Sequence, residues 1–148
     1  MSLAKTTNEN YKQAFKARDD LRVQVLRMLR AEIHGKEKEA KHEIPDVELV
    51  TIVRTMIKKR NEAAEAFRQG GATERADREL AEADFLATYL PPELDAEALS
   101  QLIAEAIDEV GAKGIKDMGA VMKAVMPKVA GRADGKTVNQ KVRQALSY

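Results

Sequence analysis

Cysteine and tryptophan are both absent from this 148-residue chain. Without cysteine there is no disulfide, no thiol nucleophile and no cysteine-ligated zinc. Aromatic residues make up only 4%, so a core has to be assembled from Leu, Ile, Val, Met and Ala. Proline and glycine are few, four and eight, which excludes low-complexity and collagen-like chains. No apolar run approaches the ~18 residues of a membrane span. The opening MSLAKTTNENYK carries no apolar signal-peptide core, and a cytoplasmic protein without membrane contact is the expectation. No phosphate-cradling glycine motif is present, and no nucleophile–base constellation stands out.

What is present is 44% hydrophobic and 33% charged residue, with both signs abundant. That is the profile of an all-α protein, and the apolar spacing follows it. A short helix is predicted over Leu3 to Ala17, with Tyr11, Ala14 and Phe15 on one side. A second begins at Asp19-Asp20 and carries Leu21, Val25, Leu26, Leu29 and Ile33. The polar stretch after Ile33 reads either as a helical extension or as a frayed end. Ile44-Pro45-Asp46 predicts a break and a new start capped by Asp46. The third stripe runs from Leu49 to Phe67 and stops at Gly70-Gly71; a fourth helix follows from about Ala72 to Leu90. Short breaks between these segments favour antiparallel neighbours.

Pro91-Pro92 marks the expected domain boundary, because neither proline suits a helix interior. The expectation is an N-terminal helical hairpin or bundle over residues 1–90, then a three-helix module over 91–148. In that module Asp95, Asp117 and Asp134 are the predicted caps, Ile115 a staple, and Gly111, Gly114 and Gly131 the turns. Pro127 is expected to kink or end the sixth helix near Met126. Met118, Met122 and Met126 read as core.

Charge is unevenly distributed in this module. Residues 91–110 hold six acids and no base, whereas residues 111–148 hold eight bases and two acids. Lys123, Lys128, Arg132, Lys136 and Lys141 are therefore candidate phosphate contacts, with Asn139 beside them. Gly131 and Gly135 are expected to let a backbone approach closely, and Asp134 to cap from the N–H of Lys136 or Thr137. Asn139 is expected to bond the nearby loop. Arg54, Lys58, Lys59 and Arg60 form a second basic cluster, read either as an extension of an RNA track or as helical ion pairs with Glu62 and Glu65. His34 and His42 are expected at the surface, and no metal or other cofactor is expected.

Several short motifs occur in a fixed order. They are Tyr89-Leu90-Pro91-Pro92-Glu93-Leu94, Glu109-Val110-Gly111-Ala112, Asp117-Met118-Gly119, Met126-Pro127-Lys128-Val129, and Ala133-Asp134-Gly135 with Val138-Asn139. Together they resemble the GatB/YqeY family along the whole chain, and the length suits free-standing YqeY-like proteins. The C-terminal half resembles the tail domain of the B subunit of the tRNA-dependent amidotransferase, a carbon–nitrogen ligase. That enzyme converts misacylated Glu-tRNA or Asp-tRNA to the Gln or Asn form.

The resemblance implies a two-part helical protein that binds tRNA through the basic module, as an accessory to tRNA amidation or translation. It also implies that Gly119, Pro127, Gly131, Asp134 and Gly135 are structural motif positions. The family's transamidating centre lies in a separate cradle domain, for which this chain has no room, so binding or accessory action is favoured, and amidotransferase activity of the chain's own is left open as a further reading. A protein-interaction module without direct RNA binding is the alternative.

Overall fold

A computed structural model describes residues 2–147. Seven α-helices and one short 3-10 turn account for the regular structure of the described residues, with no strand among them. The chain divides into two compact units, Met1–Leu90 and Pro91–Tyr148.

The first unit holds α1 (Leu3–Ala17), α2 (Asp20–Ala40), α3 (Asp46–Gln69) and α4 (Thr73–Ala87). The polar stretch beyond Ile33 is helical, and α2 runs on to Ala40. Its core gathers Val25, Leu26, Leu29 and Ile33 of α2 with Leu49, Ile52, Val53 and Met56 of α3. Ala14 of α1, Leu86 of α4 and Tyr89 close it. Phe15 is not part of that core and is 62% exposed. The α3–α4 pairing is the most extensive in the unit. Beyond Met56 the buried apolar residue of α3 is Ala64, and α4 buries Ala76 and Ala83 before Leu86; small residues of this kind let two helix backbones run close.

Helix ends in this unit show which polar groups found partners. Asp19 caps α2, accepting from the Arg22 N–H at 3.2 Å. Asp46 does not cap α3, contrary to its position in the sequence. Pro45 takes the N-cap place, and the Asp46 carboxylate accepts from the Leu3 N–H of α1 at 3.0 Å. A first-turn donor of one helix is thus satisfied by the first residue of another. Three helices end on non-glycine residues in the left-handed region: Arg18 after α1 (φ 55°), Lys41 after α2 (φ 62°) and Ala130 after α6 (Met118–Val129; φ 50°).

The second unit holds α5 (Ala96–Val110), a 3-10 turn at Ile115–Asp117, α6, and α7 (Gly135–Leu146). All three helices touch one another. Leu99, Ile103 and Ala106 of α5 meet Val121, Val125 and Val129 of α6 and Val138, Val142 and Leu146 of α7. Valine rather than methionine fills this core. Met118 and Met122 pack at its edge, while Met126 is 37% exposed. Ile115 is exposed and staples nothing.

Pro127 lies inside α6, which continues to Val129 instead of ending near Met126. A proline this close to a C-terminus forfeits one ladder bond, and the Ala130 N–H still closes on the Met126 carbonyl at 3.1 Å. Gly111 (φ 70°) ends α5 and Gly131 (φ 76°) makes the turn after α6, both in backbone conformations that favour glycine.

Candidate nucleic-acid interface

The basic residues of the second unit do not form one uniform surface, because packing gives them different partners. Lys128 points back to α5. Its ammonium lies 2.8 Å from Glu109 Oε1 and 3.9 Å from Glu105 Oε2. The hydrogen bond to Glu109 leads in holding its pKa above the ordinary lysine value. The charges of Glu109 and Glu105 add to the effect, while partial desolvation opposes it. A phosphate reaching Lys128 has to compete with two carboxylates.

Arg132 serves the end of α6. Its Nε donates to the Val129 carbonyl at 3.1 Å and its Nη2 to the Lys128 carbonyl at 2.8 Å. A guanidinium at a helix C-terminus satisfies orphan carbonyls and suits the negative end of the helix dipole. The Arg132 carbonyl in turn accepts from the Leu94 N–H at 2.9 Å, fastening the segment before α5 to the α6–α7 turn.

Lys123 and Lys136 are exposed, and neither has an ion pair among the described residues. Lys141 is half-buried beside the α7 stripe. Asn139 is also half-buried, and the expected bond to the loop is absent among the described residues. Along α7 the exposed positions Lys136, Gln140 and Arg143 are spaced four and three residues apart and so share one face. Arg143 was legible as a base in the sequence; only its outward direction makes it a candidate.

Two predicted caps are corrected here. Asp134 stands at the N-cap of α7 in extended geometry, yet its exposed side chain makes no capping bond. Asp117 makes none to α6 either, and its Oδ2 accepts from the Lys113 N–H at 2.9 Å. The first turn of α7 is left without a side-chain cap and carries Lys136, a cation at the positive end of a helix. Gly119 and Gly135 are open positions: a Cβ added at either meets nothing within 4 Å.

The basic cluster on α3 separates as well. Lys58 and Lys59 are exposed, but Arg60 turns inward and is 6% exposed. Its partner is Glu82 of α4, equally buried, with Nε 3.2 Å from Oε2. Glu65 pairs with Arg68 at 3.8 Å, not with the cluster. Sequence reading missed Glu82 as a buried carboxylate because no local pattern joins residues on two helices. His34 and His42 are both exposed.

No helix of the described residues is long and apolar enough to cross a membrane. Among known proteins, the chain is 26% identical over 138 residues to "Altered inheritance of mitochondria protein 41, mitochondrial" of Pyrenophora tritici-repentis, covering 91% of this chain and 76% of that protein. A stretch of 48 residues, 32% of this chain, is 44% identical to the E subunit of the glutamyl-tRNA(Gln) amidotransferase of Thermococcus sibiricus. That stretch amounts to 8% of the Thermococcus protein, so the likeness is partial. The family model described as Yqey-like protein matches residues 4–146, and the chain belongs to that family.

Proposed function

We propose that this Yqey-like protein binds tRNA through the basic side of its second unit, as an accessory to tRNA amidation or translation. The observation that carries the reading is the 44% identity over 48 residues to a protein named for a tRNA amidotransferase. The geometry supports it with exposed Lys123, Lys136 and Arg143. Lysine and arginine neutralise the backbone charge of a nucleic acid. Contacts of this kind read shape more than sequence. Arg132 and Lys128 hold α6 in place and set the surface, with Asn139 and Lys141 at its edge.

A salt titration of tRNA binding tests the surface. The triple variant Lys123→Glu, Lys136→Glu, Arg143→Glu replaces exposed groups and leaves the valine core intact. Each lost phosphate contact flattens the log–log salt slope by about 0.7–0.9, so three lost contacts flatten it by roughly 2–3. Equal affinity and equal slope for both proteins would refute the surface.

The acids on α5 favour a second reading, a protein-interaction module without direct RNA binding. Glu97 and Asp108 are exposed on α5, with Glu93 exposed just before it, so that an acidic helix stands beside two that carry only basic charge. A defined protein partner retained after nuclease treatment, with no affinity for tRNA, would select that reading. The cytoplasmic setting is part of the proposal, and the mitochondrial relative makes cell fractionation its check.

A further inference from the structure

The first unit carries a built cavity that the tRNA reading does not use. It is open to solvent, has a volume of about 530 Å³, and lies between α2 and the α3–α4 pair. Its floor is an Arg–Glu–Arg arrangement. Glu82 Oε2 lies 3.2 Å from Arg60 Nε, and Glu82 Oε1 lies 3.7 Å from Arg78 Nε. Both carboxylate oxygens are thereby engaged, and one negative charge serves two guanidiniums.

Arg60 still has donor capacity to spend. Its Nη1 reaches the Met56 carbonyl at 3.3 Å, but that oxygen belongs to the helix ladder. The partner of its Nη2 is the Met28 thioether at 3.3 Å, a weak acceptor. A buried guanidinium with a thioether for a partner is poised to prefer an oxyanion. Arg78 extends the same polarity outward, its Nη2 fixed by Gln24 Oε1 at 3.0 Å. Lys59 and Arg75 complete four cations around the cavity against two carboxylates, Glu79 and Glu82. A cation is disfavoured here, since the surrounding charge is positive. The apolar part of the wall comes from Met28 and from Phe67, whose ring lies 5.9 Å from the Arg75 guanidinium carbon.

We propose that this cavity binds a small organic oxyanion, a phosphate or carboxylate carried on an apolar or aromatic body. The head group meets Arg60 and Arg78, and the body lies against Met28 and Phe67. Nothing in this assignment depends on the tRNA reading, whose residues lie in the other unit.

Nuclear magnetic resonance of the arginine Nε–Hε signals of the full chain tests it, with phenyl phosphate, benzoate and inorganic phosphate as probes. Saturable shifts of Arg60 and Arg78 with phenyl phosphate or benzoate are expected, and the comparison shows which head group is preferred. Inorganic phosphate is expected to bind about tenfold more weakly than phenyl phosphate, because it leaves the apolar wall empty.

Arg78→Gln retains the Arg60–Glu82 pair and is expected to weaken binding by about tenfold. The wild-type titration stands by itself if that variant folds poorly. Three results would overturn the proposal: shifts that never saturate with any probe, binding unchanged in a folded Arg78→Gln variant, or saturable shifts confined to the second unit.

Discussion

Replacing Glu82 by glutamine probes the electrostatics of the first unit most directly. The substitution keeps the side chain's shape and removes the only charge that Arg60 faces at 3.2 Å. Arg60 then remains a buried cation without an anion, a change that costs about 3–5 kcal/mol when one partner of a buried pair is deleted. The amide oxygen still accepts a hydrogen bond, which returns about 1 kcal/mol. A net loss of about 3 kcal/mol is expected. In an Arg60→Met background Glu82 is the buried charge left over, and the same change relieves it while removing only the pairing with Arg78. That residue is 48% exposed, and a pair of this kind is worth about 1 kcal/mol or less. The two substitutions are therefore coupled by at least about 2 kcal/mol.

A unit of this size, Met1–Leu90, has a total stability of about 5–13 kcal/mol, so a loss of 3 kcal/mol is well within measurement. Amide-exchange mass spectrometry across a urea series reads each unit separately. Equal costs for Glu82→Gln in both backgrounds would show that Arg60 and Glu82 are neighbours without being an energetic pair.

Three further outcomes follow from the geometry. Asp46→Ala is expected to cost about 1 kcal/mol and to lower exchange protection at the start of α1, not of α3, because the lost bond is to the Leu3 N–H. Burial holds the Tyr89 phenol above its ordinary value of 10.0, against hydrogen bonds with Asn10 and Thr7 and the charge of Arg22. The neutral form is thus favoured in the folded chain. Its contribution is complete below pH about 10 and is lost as pH rises through the folded-state value; Tyr89→Phe removes that part of the alkaline decline in a pH series of urea melts. Gly131→Ala is expected to destabilise by about 1 kcal/mol at a φ of 76°, whereas Gly119→Ala stabilises by about 0.5 kcal/mol in open space, both by thermal melting.

The helical register was legible because apolar spacing reports a face directly. The buried stripes Val25–Ile33, Leu49–Met56 and Val138–Leu146 occupy the positions the sequence indicates. Two caps were legible for the same local reason, and the Asp95 carboxylate does accept from the Ala98 N–H at 2.7 Å. Asp46 and Asp117 were misread because a carboxylate goes to the best donor within reach. For Asp46 that donor lies 43 residues away in sequence, and spacing carries no information about it. Lys128 illustrates the same limit at the candidate interface. A lysine in a basic run looks available until α5 brings Glu105 and Glu109 to its ammonium. The Arg60–Glu82 pair joins two helices across 22 residues, and only packing reveals it.

The helix ends at Arg18, Lys41 and Ala130 have a consequence for how the sequence tolerates change. Each holds an L side chain in the left-handed region, which costs about 1 kcal/mol. Glycine at these three places relieves the crowding, and the relief is offset in part by the freedom glycine adds to the unfolded chain. The resulting mutational landscape runs opposite to the usual one. Glycine, ordinarily disruptive inside a helix, is among the mildest replacements at these helix ends, and a β-branched residue such as valine is among the harshest. Saturation mutagenesis scored by folded yield would display these ends as isolated islands of glycine preference at positions where the natural chain has none.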